Sequence, residues 1–278
     1  MTLDEAIRFL RSSPEHADLV RDAYLGADVV ESAARFETSA EFSEVMRLVG
    51  QVARGGIVVD VGAGSGIASH AFLRGGAAKV YAVEPDASAE VGRGSLARLA
   101  SGKPIHVVDA FADRIPVPTG SVDLVYARQV LHHIPNLRES LRECARLLRP
   151  GGLFLACREH VVDSDEQLQQ FLANHPVHQL AGGENAYRLD EYLDAIANAG
   201  LKVLRVIGPW DSVINAFPTV RSTQQLRDLP RARLAGRLGA FGPLASVAVH
   251  LPGVRKRLWR LIDHPAPGRP YSFLATHP

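Results

Sequence analysis

Apolar positions along the chain change period twice. Through residues 2–52 they recur at helical spacing, at Ala6, Phe9 and Leu10 and again at Phe42, Val45, Met46 and Leu48, with Ser39 placed to begin the second helix. From residue 57 short β-branched and aromatic runs take over: Ile57–Val61, Lys79–Val83, Ile105–Val108, 122–126 and 153–157. Helical patterns over 67–74, 87–99 and 136–148 separate them. Strands alternating with helices predict βαβ units, and hence a parallel sheet with helices on both faces. After Cys157 the regularity fades. Helices are expected over 166–172 and 189–199, a sixth strand over 202–207 and a seventh over 271–275. The expected organisation is an N-terminal helical segment (1–52), a core (53–207) carrying a cap insertion at about 160–188, a helical basic insertion or lid (208–270), and a last core strand (271–278).

The first strand runs into Asp60-Val61-Gly62-Ala63-Gly64-Ser65-Gly66, which opens a helix. Glycines there permit positive φ and close approach of backbone to a ligand, and the helix N-terminus offers free N–H groups to an anion. The spacing differs from the dinucleotide fingerprint G-x-G-x-x-G, because Ile67 stands where the third glycine belongs. Eighteen residues beyond Gly66 the second strand ends in Glu84-Pro85-Asp86, where a carboxylate can accept hydrogen bonds from two ribose hydroxyls. A carboxylate at a strand's C-terminal end faces the crevice in which open α/β sheets bind ligands.

These pieces resemble the class I S-adenosylmethionine-dependent methyltransferases of small-molecule type. The resemblance continues through Val108-Asp109-Ala110, Ile115-Pro116, Asp123-Leu124-Val125 and Val130-Leu131-His132-His133-Ile134 to Leu147-Leu148-Arg149-Pro150-Gly151-Gly152, in the family's order over about residues 56–157. It implies a doubly wound, mostly parallel, seven-stranded α/β sheet and S-adenosylmethionine as cofactor, leaving as S-adenosylhomocysteine. It also implies that Asp60, Gly62, Gly64, Gly66, Glu84, Pro85, Asp109, Ala110 and Arg128 contact that cofactor.

Methyl transfer from a sulfonium is an in-line displacement. The protein's work is to align the nucleophile and exclude water, with a base where the acceptor is a hydroxyl. Candidate bases are His160, His133 and His132. Candidate substrate contacts are Gln129, at the end of strand four, Arg158 and Glu159, at the end of strand five, and His175, His178, Glu184, Asn185 and Tyr187 in the segment that follows. The spacing of His160, His175, His178 and Glu184 matches no established metal signature, and no metal is expected.

Composition narrows the class. Hydrophobic residues are 46 % and charged residues 22 % of 278, ordinary for a globular protein, and the net charge is +1. The charge is uneven: residues 221–278 hold ten Lys/Arg against Asp228 and Asp263. We expect this stretch to be an Arg-rich lid in preference to a membrane-surface helix, although Leu238–Val249 is apolar and Trp259 lies among its cations. Cys144 and Cys157 suggest neither a disulfide framework nor a metal pair. The acidic, amphipathic start lacks the apolar core of a signal peptide, so a cytoplasmic protein is expected.

The expected function is methyl transfer to a small-molecule acceptor, directed to oxygen. Two alternatives remain at this level. One is an RNA or protein methyltransferase using the basic region, although the aromatic-plus-basic RNA-binding modules are missing. The other is a non-catalytic cofactor-binding accessory protein.

Overall fold

The computed structural model describes residues 1–229 and 267–278. Among these residues the chain forms helices α1 (Leu3–Ser12), α2 (Ala17–Asp22), α3 (Val29–Glu37) and α4 (Ala40–Ala53), then strand β1 (Ile57–Val61), α5 (Ile67–Arg74), β2 (Lys79–Val83), α6 (Arg93–Ala100), β3 (Ile105–Val108) and β4 (Val122–Arg128). There follow α7 (Leu137–Leu147), β5 (Leu148–Val161), α8 (Asp165–Asn174), α9 (Pro176–Ala181), α10 (Leu189–Asn198), β6 (Lys202–Ile207), α11 (Val213–Ala216) and β7 (Arg269–Thr276).

The strands form one sheet in the order β3-β2-β1-β4-β5-β7-β6. β1 to β5 pair in parallel, and β7 enters antiparallel between β5 and β6. Chain order reverses at β1, which sits between β2 and β4. In an open α/β sheet the crevice at that switch point, beyond the strand C-termini, is the ligand site.

Both faces of the sheet are covered, and the side chains sort by the two-residue period of a strand. Val58, Leu124, Tyr126, Leu155 and Cys157 pack against Phe42, Phe72 and Leu96 of α4, α5 and α6. Val59, Val61, Val125, Phe154 and Phe273 pack on the opposite face against Leu141 of α7 and Ile196 of α10.

Local chemistry sets the helix starts. Thr2 and Glu5 form a reciprocal capping box at α1. Asp28 and Ser39 accept from free amides at the starts of α3 and α4.

Three boundaries differ from the sequence expectation. Residues 87–92 are a loop and α6 begins only at Arg93, because Asp4 of α1 binds the amides of Ala89 and Glu90 and the Ser88 hydroxyl, holding that backbone away from helical bonding. β5 is longer than expected because β7 pairs with it as far as Val161. The His175-Pro176-Val177-His178 segment forms a helix, with Pro176 in its first turn and the His175 ring as its cap. Most of the basic stretch, including Leu238–Val249 and Trp259, lies outside the described residues. Of its described cations, Arg221 pairs with Asp22 at 2.8 Å and Arg269 with Asp163 at 2.7 Å. No described helix is long and apolar enough to cross a membrane.

Candidate active site

The turn after β1 is built on left-handed glycines, with φ of 62° at Gly62, 53° at Gly64 and 85° at Gly66. Gly66 is also the N-cap of α5. Behind the turn, Asp60 is buried and accepts from the Ser69 hydroxyl at 2.6 Å. Burial raises the Asp60 pKa to about 7, against the opposing hydrogen bond from Ser69.

Glu84 stands across from the turn at the tip of β2. Its Oε2 accepts from the Gly64 amide at 2.7 Å and its Oε1 from the Asp86 amide at 2.8 Å. Burial raises its pKa, and those two amides oppose the shift. Each carboxylate oxygen keeps a lone pair beyond these bonds.

Between the strand tips lies a cavity of about 420 Å³, walled by Gly62, Val83, Pro85, Ala110, Ile134 and others, with Asp113 and Asn136 as polar groups. Apolar walls with a few polar groups suit a planar heterocycle. Asp109 sits nearby, 69 % exposed in its side chain, and binds Arg93 at 2.7 Å. Arg93 in turn donates to the carbonyls of Glu84 and Pro85, so Asp109 braces the Glu84 loop.

A second cavity, of about 470 Å³, lies beyond the tips of β4 and β5. Gln129, His132, His133, His160, His175 and Glu184 form its polar side, and Leu3, Ile7, Leu19 and Leu25 of the N-terminal helices and the loop after them form its apolar side. His133 lines both cavities. Gln129 (φ 54°) and Arg158 (φ 61°) are left-handed residues at the ends of the two central strands, and such backbone strain gathers at functional sites.

The histidines differ sharply in environment. The His132 ring is buried, with Nδ1 2.7 Å from Glu159 and Nε2 3.6 Å from Glu184. Burial alone would lower its pKa, but the two carboxylates outweigh that and raise it to about 9. The Glu184 pKa falls to about 2, since burial is outweighed by His132, His133 and His175. Burial, with repulsion from His132, drives His160 down to about 3.

Several expected contacts lie outside the lining of both cavities. Arg128 turns away from the crevice to Glu41 of α4, at 2.7 and 3.1 Å. Arg158 donates to the carbonyls of Ile214 and Phe217, both at 2.8 Å. Glu159 is fully buried behind His132 and accepts from the amides of Val130 and His132. Tyr187 donates to the Ile134 carbonyl at 2.6 Å, with Asn185 beside its hydroxyl. His178 lies on α9 outside the wall. The sequence reading did not anticipate the apolar wall from α1 and α2, because nothing local marks a helix face as facing a cavity instead of a core.

Residues 59–156 match the methyltransferase domain family. A ubiquinone biosynthesis O-methyltransferase of Rhizobium rhizogenes is 28 % identical over 193 residues, covering 68 % of this chain and 73 % of that one. A dimethylglycine N-methyltransferase of Parasynechococcus marenigrum is 34 % identical over 113 residues, which is 40 % of each chain. The fold is similar to that of the geranyl diphosphate C-methyltransferase of Streptomyces coelicolor A3(2), solved with Mg2+, geranyl diphosphate and S-adenosyl-L-homocysteine. That similarity has a TM-score of 0.59 at 15 % identity and covers 98 % of this chain and 87 % of that one.

Proposed function

Because the chain is a class I S-adenosylmethionine-dependent methyltransferase, we propose that it methylates an oxygen of a small organic acceptor held in the histidine-lined cavity. The observation that carries this reading is the position of His133, which borders the cavity at the glycine turn and the cavity under the N-terminal helices. The meeting point of two such cavities is where a donor's methyl and an acceptor's nucleophile would face each other.

The residues of the first cavity fit the donor. Val83, Pro85 and Ala110 offer apolar surface to a base. The free lone pairs of Glu84 suit ribose hydroxyls, and the first-turn amides of α5, beyond its N-cap Gly66, suit a carboxylate. When bound, the donor supplies a methyl carbon already activated by positive sulfur.

The second cavity has the size of a small-molecule site. We assign the base role to His133. Its Nδ1 is 2.8 Å from the Gly183 carbonyl, which can only accept, so Nδ1 carries the hydrogen and Nε2 is left to take a proton from an acceptor hydroxyl. His132 and His160 are enclosed more deeply and border only the second cavity. Oxygen is preferred because a positioned imidazole serves a hydroxyl more than an amine, and because the most extensive of the sequence matches above is to an O-methyltransferase. The concave, partly apolar wall supports a small acceptor over a macromolecule.

The test has two stages. Calorimetry should show binding of S-adenosylmethionine and S-adenosylhomocysteine. Release of the demethylated product should then be followed with phenolic, aliphatic hydroxyl, amine and activated-carbon acceptors. Turnover confined to amines or carbon centres would overturn the oxygen assignment.

A further inference from the structure

Three imidazoles in the second cavity are anchored in the same way. Nδ1 of His132 lies 2.7 Å from the Glu159 carboxylate, Nδ1 of His133 lies 2.8 Å from the Gly183 carbonyl, and Nδ1 of His160 lies 2.8 Å from the Gly268 carbonyl. Each oxygen only accepts, so each Nδ1 carries a hydrogen and each Nε2 is the nitrogen a ligand would take, which on His132 means displacing the second proton that its two carboxylates hold there. Anchoring of the far ring nitrogen to a carboxylate or carbonyl is the usual support behind a metal-bound histidine.

These rings gather around one carboxylate. Glu184 Oε2 is 3.6 Å from His132 Nε2 and 3.7 Å from His133 Nε2, yet it is buried and accepts no hydrogen bond. Its other oxygen faces His175 Nδ1 at 3.6 Å. A buried anionic oxygen without a donor is costly, and contacts just beyond hydrogen-bond length leave room for an ion between the groups.

We propose that His132, His160 and Glu184 form a binding site for a divalent transition-metal ion. Their ligand atoms lie within 4.8 Å of one another, and no other trio of His, Cys, Asp or Glu among the described residues gathers in this way. An ion about 2.1 Å from each ligand needs separations of roughly 3.0–3.5 Å. His132 and Glu184 already stand near that, and His160 needs a modest inward swing. Two imidazoles and a carboxylate suit zinc or ferrous iron far better than magnesium, which prefers an all-oxygen shell.

The set leaves coordination positions open toward the cavity, beside Gln129 and His133. Resting on the oxygen-acceptor reading, the site selects chelating acceptors such as catechols or hydroxy-ketones. An ion bound to a hydroxyl oxygen lowers its pKa, which eases release of its proton to His133.

The experiment is metal binding by the whole chain after chelator treatment and dialysis. Zn2+ titrated calorimetrically should bind with one ion per chain in the micromolar range or tighter, and Co2+ should develop visible ligand-field bands. His160→Ala and Glu184→Gln should each weaken Zn2+ binding at least tenfold, and Glu159→Gln, which loosens the support of His132, about 10–100-fold. Donor affinity in these variants should be unchanged, which separates this site from the donor reading. Absence of Zn2+ and Co2+ binding by the wild-type chain would overturn the proposal without touching methyl transfer. So would binding that survives in folded His160→Ala, or Mg2+ binding as tightly as Zn2+. Metal binding without turnover of any hydroxyl acceptor would keep the site and remove the oxygen-acceptor reading.

Discussion

The Arg128 guanidinium meets both oxygens of the Glu41 carboxylate, at 2.7 and 3.1 Å, across 87 residues of sequence. Glu41 is 1 % exposed, and the pair is walled by the rings of Tyr24 and Phe36. It couples the N-terminal helices to the tip of β4. The second cavity is walled on its apolar side instead by α1, α2 and the loop after α2, so the pair bears on stability first.

Removing one partner leaves an uncompensated buried charge. Glu41→Ala should cost about 3–5 kcal/mol in urea unfolding. The double variant Glu41→Gln/Arg128→Met should lose markedly less than the sum of the two single variants. Additive losses would mean that the pair contributes no coupling.

Glu84 carries the donor reading. Glu84→Ala should weaken S-adenosylmethionine by about 1.5–3 kcal/mol, the range for hydrogen bonds to a charged group, read by calorimetry as a tenfold or greater rise in Kd. Unchanged affinity in a folded variant would remove the ribose assignment.

The strand frame was open to the sequence because β-branched runs bounded by glycines and acids leave few alternatives. Glu84 and the glycine turn were equally open, since their spacing is local. Arg128 was not: its partner is Glu41, and no local pattern announces a buried pair between a helix and a strand tip. Glu159 shows the same limit. Its type and position at a strand end suggested a substrate contact, but two backbone amides and the His132 ring take its carboxylate. Helix α6 was expected too early because the residues before Arg93 lack strong breakers at their start, and the competing hydrogen bonds come from Asp4, far away in sequence.

His133 should show a kinetic signature of its own. His133→Ala should lower kcat about 10²–10⁴-fold while donor affinity stays constant. A hydroxyl acceptor of lower intrinsic pKa should recover part of the loss, since it needs the base less. Equal losses with all acceptors would point to positioning in place of proton transfer.

Asp60 gives a stability profile with a definite sign. Its folded pKa of about 7 exceeds the ordinary value of 3.8, so between these values the folded state holds more protons than the unfolded state. Its contribution is therefore most favourable below about pH 4, and is lost as pH rises through 7. Asp60→Asn keeps an acceptor for Ser69 and removes the titration. Relative to wild type, the variant should gain stability from pH 5 to pH 8, by about 2–3 kcal/mol. A difference that is flat with pH would show that Asp60 does not carry that shift.

Two glycines of the turn should separate folding from ligand binding. A Cβ on Gly62 would fall 2.1 Å from Cγ2 of Val130, so this glycine is required by the wall itself. Gly62→Ala should therefore destabilise the fold by more than the roughly 1–2 kcal/mol that a left-handed alanine costs, and Val130→Ala in the same chain should recover part of the excess. A Cβ on Gly64 would meet only the Val91 carbonyl, at 3.4 Å, an approach near ordinary contact. Gly64→Ala should then cost the fold little beyond its φ of 53°, while weakening the donor because the added methyl stands beside the amide that Glu84 holds. Thermal unfolding and donor calorimetry on both variants read the two effects separately. A Gly64→Ala chain that keeps full donor affinity would show that the turn approaches the donor elsewhere.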